Sequence, residues 1–252
     1  EEDREDFKPE EFWNFLVKVS KGKENLEIKL LKKNGKKYIP KDVKEVDSLK
    51  EELGDTRYKV VDIVKKEINK NPFPPYTTST LQQSANNVLG YSAKRTMALA
   101  QSLYQSGYIT YMRTDSVYMG SKAVEQIRQV IKSTFGNQYL TMKPRFYKNK
   151  SKNAQEAHEA IRPTDFSFNL DSAKSKLSND EFKLYSLIWK RAISSQMASK
   201  RVENLSIYFQ PVEKLTNIYT FSVGAQKTLF DGFRAIYGGS KDVDELIQEI
   251  SN

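Results

Sequence analysis

The apolar periodicity of this chain changes twice, and few architectures accommodate both changes. Over residues 11–70 the period is two: Phe15, Val17 and Val19 alternate with polar residues, and Leu26, Ile28 and Leu30 do the same. Side chains along a strand point to opposite faces in turn, so each run predicts a half-buried strand. Lys21-Gly22-Lys23 reads as the turn between them, and Asn34-Gly35 is a second hairpin signal. A short helix is predicted from Val43 to Leu53, stopped by Gly54, and a further strand from Arg57 to Val64. Asn71-Pro72-Phe73-Pro74-Pro75 can continue neither a helix nor a central strand, and marks a boundary.

From there to about residue 198 the chain reads mainly helical. Ser79 or Thr80 is expected to cap a helix running to Leu89, with Gly90 as its stop. Ser92 caps the next, with Ala93, Met97, Ala100 and Tyr104 on one face and Gly107 just beyond its end. Ser121 starts another, with Val124, Ile127, Ile131 and Phe135 inward and Gly136 as its stop. Ser178-Asn179-Asp180-Glu181 matches a capping box and opens a long helix with the stripe Phe182, Tyr185, Trp189 and Ala192. After Met197 the alternation returns in Leu205, Ile207 and Phe209, then in Tyr219, Phe221 and Val223. Strands therefore flank a helical block. The expected class is multidomain α+β, with a mainly helical domain inserted into a discontinuous β-rich one.

Composition narrows the function classes. Lys plus Arg number 41 against 32 acids, a formal charge of +9 that permits a polyanionic partner without requiring one. Fourteen Tyr and thirteen Phe include rings that can stack on bases, although most are expected in the core. With no Cys, disulfides and thiolate metal sites are excluded, which fits a reducing compartment. No run approaches a membrane span and no signal peptide is evident; the charged start at Glu1 suggests a piece of something longer.

The densest chemistry lies in Gly107-Tyr108-Ile109-Thr110-Tyr111-Met112-Arg113-Thr114-Asp115-Ser116. If extended, Ile109, Tyr111 and Arg113 share a face. A phenol beside a fixed cation is a candidate nucleophile for phosphoryl transfer, because a cation favours the phenolate and neutralises phosphate oxygens. Alone, the segment reads more readily as an aromatic core strand with an exposed Arg. A second constellation, Asn153 to Pro163, holds the chain's one His. If helical, His158 and Arg162 lie on one face at i, i+4; an ordinary charged face with pairs such as Glu159 to Arg162 is the alternative. A zinc site is not indicated, since a second His is missing. Thr77 to Gln83 is a hydroxyl-rich helix start, readable as a phosphate site or as ordinary capping. Lys143 to Lys152 interleaves cations with Phe146 and Tyr147; a mobile solvated loop is the favoured reading over nucleic-acid contact. There is no Walker loop or dinucleotide fingerprint, and no acidic cluster of the kind that holds Mg²⁺.

Taken together, these pieces resemble the bacterial type IA DNA topoisomerases. Residues 107–116 look like that family's active-site motif. Glu10-Glu11-Phe12-Trp13, Thr78-Ser79-Thr80-Leu81-Gln82-Gln83, Ala100-Gln101-Ser102-Leu103-Tyr104 and Gln155 to Pro163 resemble the same family in the same order. The resemblance implies a β-rich arch domain from residues 1–72 and 199–252, and a helical domain, residues 73–198, bearing the tyrosine. It implies cleavage and rejoining of one DNA strand through a 5′-phosphotyrosine link, relaxing negative supercoils without ATP. Tyr111 would be the nucleophile and Arg113 the phosphate-stabilising cation. His158, Gln101, Asp115 and Arg162 would contact or position single-stranded DNA. Mg²⁺ would be held outside this chain, by an N-terminal acidic-metal domain (Toprim) that nothing here matches; C-terminal zinc modules are also absent. The implied location is the bacterial cytoplasm, at the nucleoid. The rival class is a single-stranded DNA clamp without catalysis.

Overall fold

The computed structural model describes residues 12–22, 24–148 and 159–238. The chain forms two compact units. Within the described residues, one comprises 12–68 and 203–227, and the other 69–202 and 228–238. The class is α+β, with helices and a six-stranded sheet.

The first unit is built on that sheet. Strands β1 (Leu16–Lys21), β2 (Glu24–Lys33), β3 (Lys36–Lys37), β4 (Tyr58–Lys70), β5 (Lys200–Pro211) and β6 (Tyr219–Phe230) run in the order β1-β2-β6-β5-β4, with β3 paired to β2. Asn34 and Gly35 join β2 to β3 with φ of 51° and 77°. Both values are positive, as the two-residue hairpin turn requires, which is why Asn-Gly announces it. Helix α1 (Val43–Leu53) has the bounds and the Gly54 stop that the sequence predicts, and the Asp42 side chain caps it. Its Leu49 and Leu53 pack with Ile28 and Leu30 of β2, Leu205, Ile207 and Phe209 of β5, and Tyr219 and Phe221 of β6. Strand β4 runs six residues beyond the predicted Val64. Its far half, Lys65-Lys66-Glu67-Ile68-Asn69-Lys70, carries little apolar alternation, so only pairing reveals it as strand.

The second unit is helical. It holds α2 (Thr78–Leu89), α3 (Ala93–Gln105), α4 (Ser121–Phe135), α5 (Leu170–Lys176) and α6 (Asn179–Ser195). A central stripe of α6, Leu184, Tyr185, Ile188, Ala192 and Ile193, is buried against Leu81 and Ala85 of α2, Ala100 and Leu103 of α3, and Ile127 and Ile131 of α4. Two expectations about helices α2 and α3 need correction. The cap of α2 is Thr77, in a reciprocal box with Thr80, not Ser79 or Thr80. The inward face of α3 is Thr96, Ala100 and Leu103; Ala93 and Tyr104 are exposed, so the true stripe is rotated from the expected one. No described helix is long and apolar enough to cross a membrane.

Polar contacts lock α3 onto α6. Arg95 and Tyr91 both donate to Asp180, and the Ser102 hydroxyl donates to Glu181 at 2.6 Å. Arg95 and then Tyr91 hold the Asp180 carboxyl below its ordinary range, and Ser102 and Ser178 do the same for Glu181. The segment 143–148, expected as a mobile solvated loop, is instead anchored. Backbone groups of Arg145 pair with the buried Gln196 amide, its guanidinium reaches Met197 O and Ser199 Oγ, and Tyr147 donates to Ser195 O. Burial pushes the Tyr147 phenol up to about 12. Residues 149–152, the remainder of that basic stretch, lie outside the described residues.

Gly232 adopts φ +52°, and a Cβ there would lie 2.4 Å from the Ser199 backbone. Gly232→Ala is expected to cost about 3 kcal/mol, from backbone strain plus overpacking, read by urea unfolding. Asp180 and Glu181 have depressed folded-state pKa values, so their contribution is present above the unfolded values, near 4, and is lost as pH falls through the folded ones. Stability should fall in that acid window, and an Asp180→Asn, Glu181→Gln double variant should flatten the pH dependence in chemical unfolding.

Candidate functional site

Residues 107–116 leave α3 through a turn with Gly107 at φ 78° and run outside any helix or sheet, with bends at Tyr108, Thr110 and Met112. Their backbone hydrogen bonds go in two directions. On one flank, Thr110 N–H donates to Arg162 O at 2.9 Å, Thr164 N–H donates to Tyr108 O at 3.1 Å, and Ile109 bridges to Pro163. The Thr110 hydroxyl donates to Ala160 O at 2.7 Å, and the Thr164 hydroxyl to Gly107 O at 2.6 Å. On the other flank stands the first turn of α2. Thr78 N–H donates to Thr114 O at 2.9 Å, its hydroxyl donates to Met112 O at 2.7 Å, and the same oxygen accepts from Thr114 N–H at 2.9 Å.

This two-sided clamp sorts the side chains. Ile109, Met112, Thr114 and Ser116 are buried, whereas Tyr111, Arg113 and Asp115 are exposed, Tyr111 by 43%. The expectation that Ile109, Tyr111 and Arg113 share a face is half right. Buried Met112 lies three positions after buried Ile109, not two, so the alternation slips one step where the clamp changes flank. The reactive side is Tyr111-Arg113-Asp115 and excludes Ile109. Among the described residues, the side chains of Arg113 and Asp115 make no hydrogen bond or ion pair, leaving a cation and a carboxylate open to solvent.

The other expected site residues distribute unevenly. Gln101 is half-buried on α3, one turn before Tyr104, whose ring meets that of Tyr111 at 5.3 Å between centroids. Arg162 turns inward. Its guanidinium donates to Glu159 Oε2 and to Pro163 O, and 13% of its side chain is exposed. Residues 159–163 are extended, not helical, because their backbone pairs with Tyr76, Thr110 and Tyr118. The expected i, i+4 face therefore fails at Arg162. His158 lies outside the described residues, as do Glu10, Glu11 and Gln155–Ala157. Glu159 also accepts from Gly120 N–H at 2.7 Å, which ties the start of α4 to Arg162. A cleft of about 340 Å³ beside it is lined by Lys122, Gln126, Arg162, Thr164 and Asp165.

Residue-by-residue reading misses Thr78, Thr110 and Thr164. Each hydroxyl bonds backbone far away in sequence, a role that composition does not announce. Thr78 reads as an ordinary member of a capping cluster; its neighbour Thr77 does the capping.

The DNA topoisomerase family model matches residues 1–252, the whole chain. The chain belongs to the DNA topoisomerase family. It is 40% identical over 259 residues to DNA topoisomerase 1 of Rickettsia prowazekii, covering 96% of this chain and 33% of that protein. It is 42% identical over 216 residues to DNA topoisomerase 1 of Synechococcus elongatus, covering 85% and 24% respectively. The full-length topoisomerase I structure from Thermotoga maritima superimposes with a TM-score of 0.72 at 28% identity, over 95% of this chain and 38% of that one. The chain thus spans about a third of the length of the curated topoisomerases first matched.

Removing the Thr78 hydroxyl orphans the Met112 carbonyl and the Thr114 N–H. Thr78→Val is expected to destabilise the helical unit by about 1–3 kcal/mol. Hydrogen exchange at the Thr114 amide should accelerate more than at amides in the middle of α6, which separates local release of the clamp from global unfolding.

Proposed function

We propose that this chain supplies the nucleophile and part of the DNA path of a type IA topoisomerase, one that cuts and rejoins a single DNA strand through a 5′-phosphotyrosine link and relaxes negative supercoils without ATP. The observation that carries the reading is the exposure of Tyr111, Arg113 and Asp115 on one side of a backbone pinned from both flanks. Pinning fixes the backbone from which the phenol and guanidinium extend, which lowers the ordering cost of meeting a phosphate.

In this mechanism the Tyr111 oxygen attacks a backbone phosphorus. An Oη–P bond forms, the P–O3′ bond breaks, and the leaving 3′ oxygen takes up a proton as the phenol loses one. One phosphodiester replaces another, so the reverse attack by the 3′ hydroxyl reseals the strand without an external energy source. Arg113 stabilises the non-bridging oxygens as charge gathers on them. Asp115 and Gln101 position the strand. Arg162 acts mainly through its backbone pairing with Thr110, and His158 is assigned a contact near the scissile phosphate. In domain terms, residues 73–198 are the tyrosine-bearing helical domain and 1–72 with 199–227 contribute to the arch, while Phe233 and Ile236 pack in the helical core.

The family reading implies Mg²⁺ in the parent enzyme. Among the described residues no group of three or more His, Asp or Glu could hold a metal. The described residues therefore do not fit that role; its ligands are assigned to another part of the polypeptide, and no step above runs through it. The setting that follows is the bacterial cytoplasm, with single-stranded DNA as partner.

In the parent protein, a 3′-labelled single-stranded oligonucleotide should become covalently attached, and Tyr111→Phe should abolish the adduct with DNA affinity retained. Arg113→Ala should slow cleavage about 10²–10³-fold. Binding without any adduct in the unmodified protein would favour the non-catalytic clamp; an adduct surviving Tyr111→Phe would sink the assignment.

A further inference from the structure

Tyr111 has its backbone held at both neighbours: Thr110 by Ala160 and Arg162, and Met112 by Thr78. What remains free is the side-chain rotamer. Among the described residues, one ring meets it. Tyr104, in the last turn of α3, approaches edge-to-face, with centroids 5.3 Å apart and planes at 66°. Folding does not explain this ring. Leu103 supplies the buried position next to it at 0% exposure, whereas Tyr104 is 40% exposed and its hydroxyl has no hydrogen-bond partner among the described residues.

We propose that Tyr104 is a positioning residue for Tyr111: its ring holds the neighbouring phenol in the rotamer that faces solvent, where a DNA phosphate would be met. This rests on the reading of Tyr111 as nucleophile. Edge-to-face contact uses the ring and not the hydroxyl, so the function belongs to any aromatic side chain at this position. An aromatic pair biases a rotamer equilibrium by roughly two- to tenfold. That bias is realised in the cleavage step, because Tyr104 itself need not touch DNA. The stem of α3 fixes where the ring stands, since Ser102 and Arg95 tie the helix to α6.

The test uses the full parent protein with Tyr104→Leu and Tyr104→Phe. Tyr104→Leu should lower the single-turnover cleavage rate at saturating oligonucleotide by roughly three- to tenfold, with Kd within about twofold; Tyr104→Phe should recover the rate to within about twofold. With 3-fluorotyrosine incorporated, the ¹⁹F resonance of residue 111, assigned by its loss in Tyr111→Phe, should move in the Leu variant and return in the Phe variant. A raised Kd with an unchanged saturated rate would overturn the proposal and make Tyr104 a base-stacking surface. An unchanged rate and an unmoved resonance would overturn it outright. An adduct that survives Tyr111→Phe would remove the nucleophile reading beneath it, and is recognised separately because it needs no Tyr104 variant.

Discussion

Everything distinctive about this chain depends on where the backbone hydrogen bonds of residues 107–116 go. The segment lies outside any sheet, yet its N–H and C=O groups are partly buried and must find partners. They find them in two places distant in sequence: the first turn of α2, some 34–36 residues earlier, and the stretch 160–164, about 50 residues later. Each flank is short and exerts its hold through threonine hydroxyls as well as main-chain groups. The site therefore exists only when α2, α3 and the 160–164 stretch are all in place. A change of clamp flank, between Ile109 and Met112, is what turns Tyr111 outward.

The rest of the helical unit reads as support for that clamp. Helix α3 delivers the segment, and its own placement is decided against α6 by a buried apolar stripe and by Arg95, Tyr91 and Ser102 acting on Asp180 and Glu181. Glu159 joins the start of α4 to Arg162, the residue whose carbonyl receives the Thr110 amide. Arg145, Tyr147 and Gln196 tie the segment 143–148 to the end of α6 and the residues after it by donating to backbone carbonyls. Arg191, lying over the rings of Phe73 and Tyr76, fixes the chain as it approaches α2. Apart from the exposed Arg95–Asp180 pair, these contacts are part-buried, where an unmet partner is costly, so they constrain geometry more than their individual strengths suggest.

Local signals carry much of this. Asn34-Gly35, the Val43–Leu53 helix with its Gly54 stop, and the Ser178–Glu181 box are legible because each depends on φ/ψ preference or on hydrogen bonds within a few residues. The family is legible too, since motif order is a property of sequence alone. By contrast, the rotated stripe of α3 and the extra length of β4 are not. Exposure of Tyr104 and pairing of Lys65–Lys70 are settled by what packs beside them, not by their own periodicity. The anchored 143–148 segment escapes sequence reading for the same reason, because a run of cations looks solvated until a buried acceptor claims one of them.

The sequence by itself thus determined the class of the fold, most helix ends, and the residues Tyr111, Arg113 and Asp115 as the chemical group to watch. The class and the helix ends follow from capping and periodicity, which act over a turn or two; the three residues stand out through an order of motifs that resembles one family. Only the tertiary structure decided that these three face outward together while Ile109 does not, that Arg162 is spent on Glu159, and that Tyr104 stands against the Tyr111 ring. Each of these depends on hydrogen bonds or ring contacts between segments brought together by packing, and no local preference along the chain encodes them.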